Sequence, residues 1–399
     1  MLQTRAADKE TLGQVESVLK DLSHSGVSVV RTWAFADGPD EWNALQPAPQ
    51  FFDERVFCAL DLVIFMCAKL HLKILLDLTN FWPEYGGMKQ YVAWSHKAKK
   101  DGDRDLDASK FYQDPNCQKM YGRFIKAVLT RKNSISGIEY RNDPTILGWA
   151  PANEPRCTSD PGAKGSVVMQ WAHATSMLIK SLDKNHLVFM DSEGFFGPST
   201  PSYQKYNPFD ADSTGCDFAQ DCNSPAIDAC CIHLYPDKWL PPDATHEQHL
   251  IFTNNWINSH LEIAALIEKP LVITEFGHKQ GKQEEQEDLY SEVFTLSLEH
   301  MRKKSPFAGC IFWMAASKDY PHDDGYNVCL AKQPVPRELP NDTGIGNFTR
   351  EVIIEFCEAI AKGDYRLKSF SRKFSTFSTG DLTQDELWDK ERLRKCTMM

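Results

Sequence analysis

No stretch of this chain approaches the ~18 uninterrupted apolar residues that a membrane-spanning helix requires, which argues against a spanning segment and a membrane partner. The N-terminus, MLQTRAADKE, lacks the apolar core of a signal peptide. Positive charge is also scarce: Lys and Arg total 44 against 55 Asp and Glu, a net charge of −11. An acidic surface of that kind gains nothing from a phosphate backbone, so nucleic acid is not expected as a partner, while neutral polymers stay open. No Cys-x-x-Cys occurs among the 12 cysteines, and His322-Asp-Asp has no second histidine at ligand spacing. No metal and no cofactor is therefore expected. Internal repeats and domain linkers are missing too.

The composition that remains is that of a globular protein, 42 % hydrophobic and 25 % charged, and the length of 399 residues fits one large α/β unit. With 10 Trp, 12 Tyr and 23 Phe the aromatic stock suits either a large core or platforms for sugar rings. Cys58 and Cys67 fall in apolar helical stretches and Cys230 and Cys231 in a strand, as buried thiols do; Cys216 and Cys222 share a polar loop and could pair. Sequons at Asn341 and Asn347 would be usable only in a secretory compartment.

Short continuous apolar runs at 27–33, 72–78, 145–150, 186–191, 226–233, 270–276 and 308–314 read as strands buried on both faces. Amphipathic segments at 53–70, 167–182, 248–268 and 289–303 lie between them. This alternation predicts a parallel sheet with right-handed crossovers. The chain opens on a helix at 9–22, so seven strands are found where a closed (β/α)₈ barrel has eight. The alternatives are a TIM barrel lacking its first strand, with 1–365 as the catalytic domain, and an open doubly wound sheet. Past Gly363 the pattern fades, and 366–399 reads as a poorly ordered C-terminal extension.

The chemistry favours the barrel. Strand 145–150 runs into Asn153-Glu154-Pro155, and strand 270–276 carries Glu275 with Gly277 behind it. A carboxylate at the end of a buried strand is costly to desolvate unless it has partners or a task. Taken singly, such a Glu is more often an ion-pair member. Two of them facing each other across the C-terminal rim are what glycoside hydrolysis needs, at about 5–5.5 Å for a retaining double displacement. Arg31 inside a buried strand demands a carboxylate partner. His233, Tyr235 and Trp313 end further strands in the same layer.

Eight motifs then follow in a fixed order: RTWAF from Arg31, YGGMKQYVAW from Tyr85, DPTI from Asp143, NEPRC from Asn153, DKNHL from Asp183, EGFFG from Glu193, HLYPDKW from His233 and KPLVITEFG from Lys269. Over about 26–326 the chain resembles the plant and fungal endo-β-1,4-mannanases of glycoside hydrolase family 5, clan A. The resemblance implies a TIM barrel, a secreted, monomeric enzyme and a β-mannan substrate. It implies Glu154 as general acid/base, Glu275 as nucleophile, Asn153 on the 2-hydroxyl of the reacting sugar, and Arg31, His233 and Tyr235 around the carboxylates. Trp313 would form the floor of the −1 subsite, Trp33, Trp82 and Trp239 would line the cleft, and Arg156 would sit on the aglycone side. Two departures stand out: Pro151 before the acid, and the missing first strand. The gap implies a truncated chain, poorly soluble and weakly active until an upstream strand is restored. Rival expectations are a carbohydrate-binding pseudoenzyme of the same fold and a clan A cellulase or β-glucanase.

Overall fold

The structure is a computed structural model and describes residues 1–96, 106–159, 166–209, 211–279, 283–317, 320, 324–331, 347–364 and 367. Nearly all of the expected extension 366–399 lies outside the described residues, as do His322 and Asn341.

Among the described residues seven strands form: β1 (Val29–Trp33), β2 (Lys73–Asp77), β3 (Ile146–Ala150), β4 (Leu187–Met190), β5 (Ala229–Leu234), β6 (Leu271–Phe276) and β7 (Phe307–Cys310). They lie in sequence order, every neighbouring pair parallel. Each expected run contains a strand, and β2 to β6 are buried over most of their length, whereas β1 alternates and β7 is buried only at Phe307. β5 is the extreme case, with all of Ala229–Leu234 buried. The sheet curls so that Leu75, Ala150, Phe189, Ala229 and Cys231 meet in a small inner core. The larger core lies between strands and helices. This is a TIM-barrel sheet with one strand missing, as the strand count implied.

β1 and β7 are the two ends of the sheet. Among the described residues side chains, not backbone pairing, span the gap between them. The rings of Trp33 and Trp313 lie 6.1 Å apart. An N-terminal helix not expected from the sequence, Leu2–Ala6, donates from Gln3 Nε2 to Phe35 O and sets Arg5 4.4 Å over the Tyr320 ring. Helix Asn347–Lys362 packs Phe356 on Phe294 and brings Cys357 against Gly26.

β7 is shorter than the apolar run 308–314. Regular strand geometry ends at Cys310, so Trp313 stands beyond the strand, although Ile311 N–H still donates to Ile273 O at 2.7 Å and Trp313 N–H to Phe276 O at 2.8 Å. Cys216 and Cys222 are free thiols, not a disulfide. Cys216 Sγ instead donates to Pro155 O at 3.4 Å, which supports the loop carrying Glu154.

Candidate active site

All the polar candidates converge at the C-terminal ends of the strands. Arg31, on β1, is almost wholly buried and is the hub. It donates to Asp191 Oδ2 at 2.7 Å, to Glu275 Oε1 at 2.5 Å and to Asn153 Oδ1 at 2.5 Å. Asp77, the last residue of β2, faces it at 3.0 Å. Burial works against the Arg31 charge, yet Asp191, Asp77 and Glu275 raise its pKa well above the ordinary value. A guanidinium among three carboxyl groups stays charged.

Glu275, on β6, is 5 % exposed and also accepts from the Tyr235 hydroxyl at 2.6 Å. Both of its oxygens are thereby held by donors, which fixes the direction in which the carboxylate is aimed. Glu154 sits four residues past β3 with φ of 44°. An L-residue in that left-handed region is strained, and strain of this kind gathers at functional sites. The turn is pinned by Glu154 N–H to Asp191 O at 2.9 Å, by Asn153 N–H to Thr79 O at 2.9 Å, and by the Tyr121 hydroxyl on Pro151 O. Pro151 thus supplies an acceptor and leaves the approach to the acid intact.

The Glu154 carboxylate accepts from His233 Nδ1 at 2.6 Å and from the Trp82 indole N–H. Burial disfavours its charge, but His233, Arg156 and Trp82 outweigh it and hold the carboxyl down at about 2. His233 is the complement. Burial opposes its protonation, while Glu275, Glu154 and Asp191 together push it well above the usual imidazole value. Its Nδ1 is also 3.6 Å from Glu275 Oε2. At rest one proton therefore lies between His233 and Glu154, mostly on the imidazole.

An oxygen of Glu154 and one of Glu275 lie within 4.8 Å of each other. Inverting glycosidases need about 6.5–9.5 Å to admit a water between the pair. Carboxyl groups whose nearest oxygens approach this closely fit the nearer pair that a double displacement uses, about 5–5.5 Å.

The remaining expected residues divide. Arg156 is bidentate to Glu193, at 2.6 and 2.5 Å, and lies 4.8 Å over the Trp82 ring. Trp33 and Trp313 adjoin each other at the rim, and Trp313 Nε1 donates to Asp324 at 3.0 Å. Trp239 stands behind Tyr235, packed on Phe195 and Trp256, outside the hydrogen-bonded network. The loop bearing Trp82 turns at Tyr85-Gly86-Gly87. A Cβ on Gly86 would fall 2.0 Å from Asp37 O, so only glycine fits there.

Four groups escaped the sequence reading. Asp77 and Asp191 end or follow buried strands, the same signal that singled out Glu275. Thr274 donates its hydroxyl to Asp191 Oδ1. Glu193 lies in a quoted motif but had no role. Its carboxyl is pushed up to about 7, by burial first and the Glu154 charge next, with Arg156 opposing.

The chain as a whole is similar to known proteins of one family. A model of the glycoside hydrolase family 5 β-mannosidase-like family matches residues 2–327. Mannan endo-1,4-beta-mannosidase 8 of Oryza sativa subsp. japonica is 38% identical over 84% of this chain and 89% of its own. Mannan endo-1,4-beta-mannosidase 5 of Arabidopsis thaliana is 38% identical over 77% of this chain and 71% of its own. The endo-beta-1,4-mannanase structure from Thermotoga petrophila superposes with a TM-score of 0.73 at 27% identity, covering 90% of this chain and 76% of the other.

Proposed function

The chain belongs to the glycoside hydrolase family 5 β-mannosidase-like family, and from that membership we propose that it hydrolyses internal β-1,4-mannosidic bonds of mannan, galactomannan or glucomannan with retention. The observation that carries the proposal is the Glu154–Glu275 pair, oxygens within 4.8 Å, built on the ends of β3 and β6. A binding-only protein would have no use for a complete pair with its cation and proton relay.

In this reading Glu275, oriented by Arg31 and Tyr235, attacks the anomeric carbon. As the new bond removes its negative charge, the field that holds the proton on His233 weakens. The proton passes to Glu154 and on to the leaving oxygen. Glu154 then takes a proton from the water that releases the glycosyl-enzyme. Asn153 has its Oδ1 on Arg31 and one amide hydrogen on Asn80, so the second hydrogen is available to the 2-hydroxyl. Trp33 and Trp313 form the floor, with Trp82 and Arg156 on the leaving-group side and Trp239 bracing Tyr235. Residues 1–365 are the catalytic unit, acting as a monomer outside the cell on wall mannan.

Reducing-sugar release from mannan, glucomannan, cellulose and laminarin tests the substrate, and proton NMR of the first-formed anomer tests the stereochemistry. Release from mannan-type polymers with retained β-configuration is expected. Cellulose or laminarin as the preferred substrate, or inversion, would overturn the reading.

A further inference from the structure

A second cluster of ionisable side chains lies away from the catalytic pair. His246 and His249 sit one turn apart in helix His246–Leu266, His278 follows β6 by two residues, and Glu285 and Asp288 occupy the opening turns of helix Gln283–Arg302. His249 and His278 are buried. One ligating atom from each of His246, His249 and Glu285 falls within 4.8 Å of the others. The Nε2 of His278 lies 3.4 Å from His249 Nδ1 and 3.6 Å from Glu285 Oε2.

The first of these distances is long for a hydrogen bond between two rings. Both match another arrangement. Donors about 2.0–2.1 Å from a tetrahedral zinc ion stand roughly 3.3 Å from one another. Partners on the far sides of the rings also set the tautomers. His278 Nδ1 lies 3.0 Å from Lys279 O, an acceptor only, so that nitrogen carries the hydrogen and Nε2 keeps its lone pair. His246 Nε2 is bound to Asp288 Oδ2 at 2.9 Å, which leaves Nδ1 as the lone-pair side. That Nδ1 is buried and has no hydrogen-bond partner among the described residues. A ring nitrogen turned inward while its opposite N–H is held by a carboxylate or a carbonyl is the second-shell pattern of ligating histidines.

We propose that His246, His249 and Glu285 form the core of a binding site for a divalent transition metal, zinc best of all, with His278, beside His249 and Glu285, completing the set when the ion binds and Asp288 orienting His246. Three imidazoles and one carboxylate suit zinc, whereas calcium and magnesium take oxygen ligands. The helix N-termini here repel a cation, and Glu285 and Asp288 supply the compensating charge. No sequence pattern announces the site because its ligands come from three separate segments. The bound ion would staple Gly277–Lys279, the segment directly after the nucleophile's strand, to both flanking helices. The site does not depend on the mannanase reading.

The test uses the full chain stripped with a chelator, then titrated calorimetrically with zinc chloride, with metal content measured after dialysis. Wild type is expected to hold one zinc per chain and to gain a few degrees in Tm. Cobalt in its place should show the visible bands of a tetrahedral N/O site. His249→Gln and His278→Gln should lose the ion while keeping mannan hydrolysis and the native circular dichroism. Asp288→Asn should weaken binding by roughly 10–100-fold. Glu154→Gln should bind as wild type does, which separates this site from the cluster of Glu154, His233 and Glu275. Failure to take up zinc, unchanged uptake in both histidine variants, or loss confined to Glu154→Gln would each overturn the proposal.

Discussion

At the scale of single residues the division of labour between the two carboxylates makes the sharpest prediction. Glu275→Ala should abolish turnover on every substrate, because no glycosyl-enzyme can form. Glu154→Ala should keep the first step for substrates whose leaving group needs no proton, and added azide should restore its second step. Burst kinetics with an activated aryl mannoside reads both, and equal loss without azide rescue would refute the roles. Glu193 gives a pH signature. Its folded value of about 7 lies above the ordinary 4.5, so the folded state holds the extra proton between those values. Stability from this group is complete below 4.5 and is lost as pH rises toward 7. Buried Asp221, also pushed up to about 7, adds to the same trend, whereas His260, lowered to about 4 by burial, opposes it over the same range. Relative to Glu193→Gln, the wild-type melting temperature should therefore fall as pH rises from 4.5 to 7. A wild-type Tm that climbs relative to the variant through this window contradicts the assignment. Residues named from motifs were legible; Asp77 and Asp191 were equally so, since each marks a buried strand's end. Their partner Thr274 gave no signal, because a threonine inside a strand is ordinary until its hydroxyl is seen to meet Asp191.

At the scale of elements, continuous apolar runs located the seven strands of the described residues, because burial over most of β2 to β6 leaves little alternation to confuse. Trp313 was the exception. Ile311-Phe-Trp is apolar enough to extend the run, but regular strand geometry ends at Cys310. Helix Pro115–Leu129 carries unused signals: Asp114 caps it, Pro115 opens it, and Cys117, Tyr121, Phe124, Ile125 and Val128 make one buried face. Helix Gly87–His96 offers little, beginning on glycine within a loop that the Tyr-Gly-Gly turn shapes. What ties these elements together far from the chemistry is Asp61, fully buried on helix Glu54–Lys69. It accepts from Arg131 at 2.9 and 2.6 Å, from the Tyr140 hydroxyl at 2.6 Å, and from Ser134 N–H and hydroxyl at 3.0 and 2.7 Å. Asp61→Ala leaves Arg131 its Glu54 contacts at 3.0 and 2.8 Å but strands the buried Tyr140 hydroxyl and the Ser134 donors, and should cost about 2–3 kcal/mol by urea unfolding. At temperatures where the variant remains folded, kcat should match wild type. A loss below about 1 kcal/mol would show that the network is not what anchors these elements.

At the scale of the whole molecule the open seam decides how firmly the site is held. β1 carries Arg31 and β7 leads to Trp313, and among the described residues these are the two strands with a partner on one side only. Their register is fixed by β2 and β6 alone, over five and three paired residues. Across the seam the contacts are aromatic rings and the flanking helices Leu2–Ala6 and Asn347–Lys362, which hold position less strictly than a ladder does. Edge strands of this kind also invite pairing with other chains. A parallel strand fused ahead of Met1 and designed to lie between β7 and β1 would add several backbone hydrogen bonds, each worth about 1 kcal/mol net. Such a chain should melt several degrees higher, resist concentration-dependent association in light scattering, and turn over mannan faster. The rate gain is expected because Arg31 positions Glu275, so limiting its motion narrows the spread of attack geometries. Should the extended and unextended chains share the same Tm, the same monodispersity and the same kcat, then the rings and helices already fix β1 and β7 as firmly as an eighth strand would, and the seam carries no penalty.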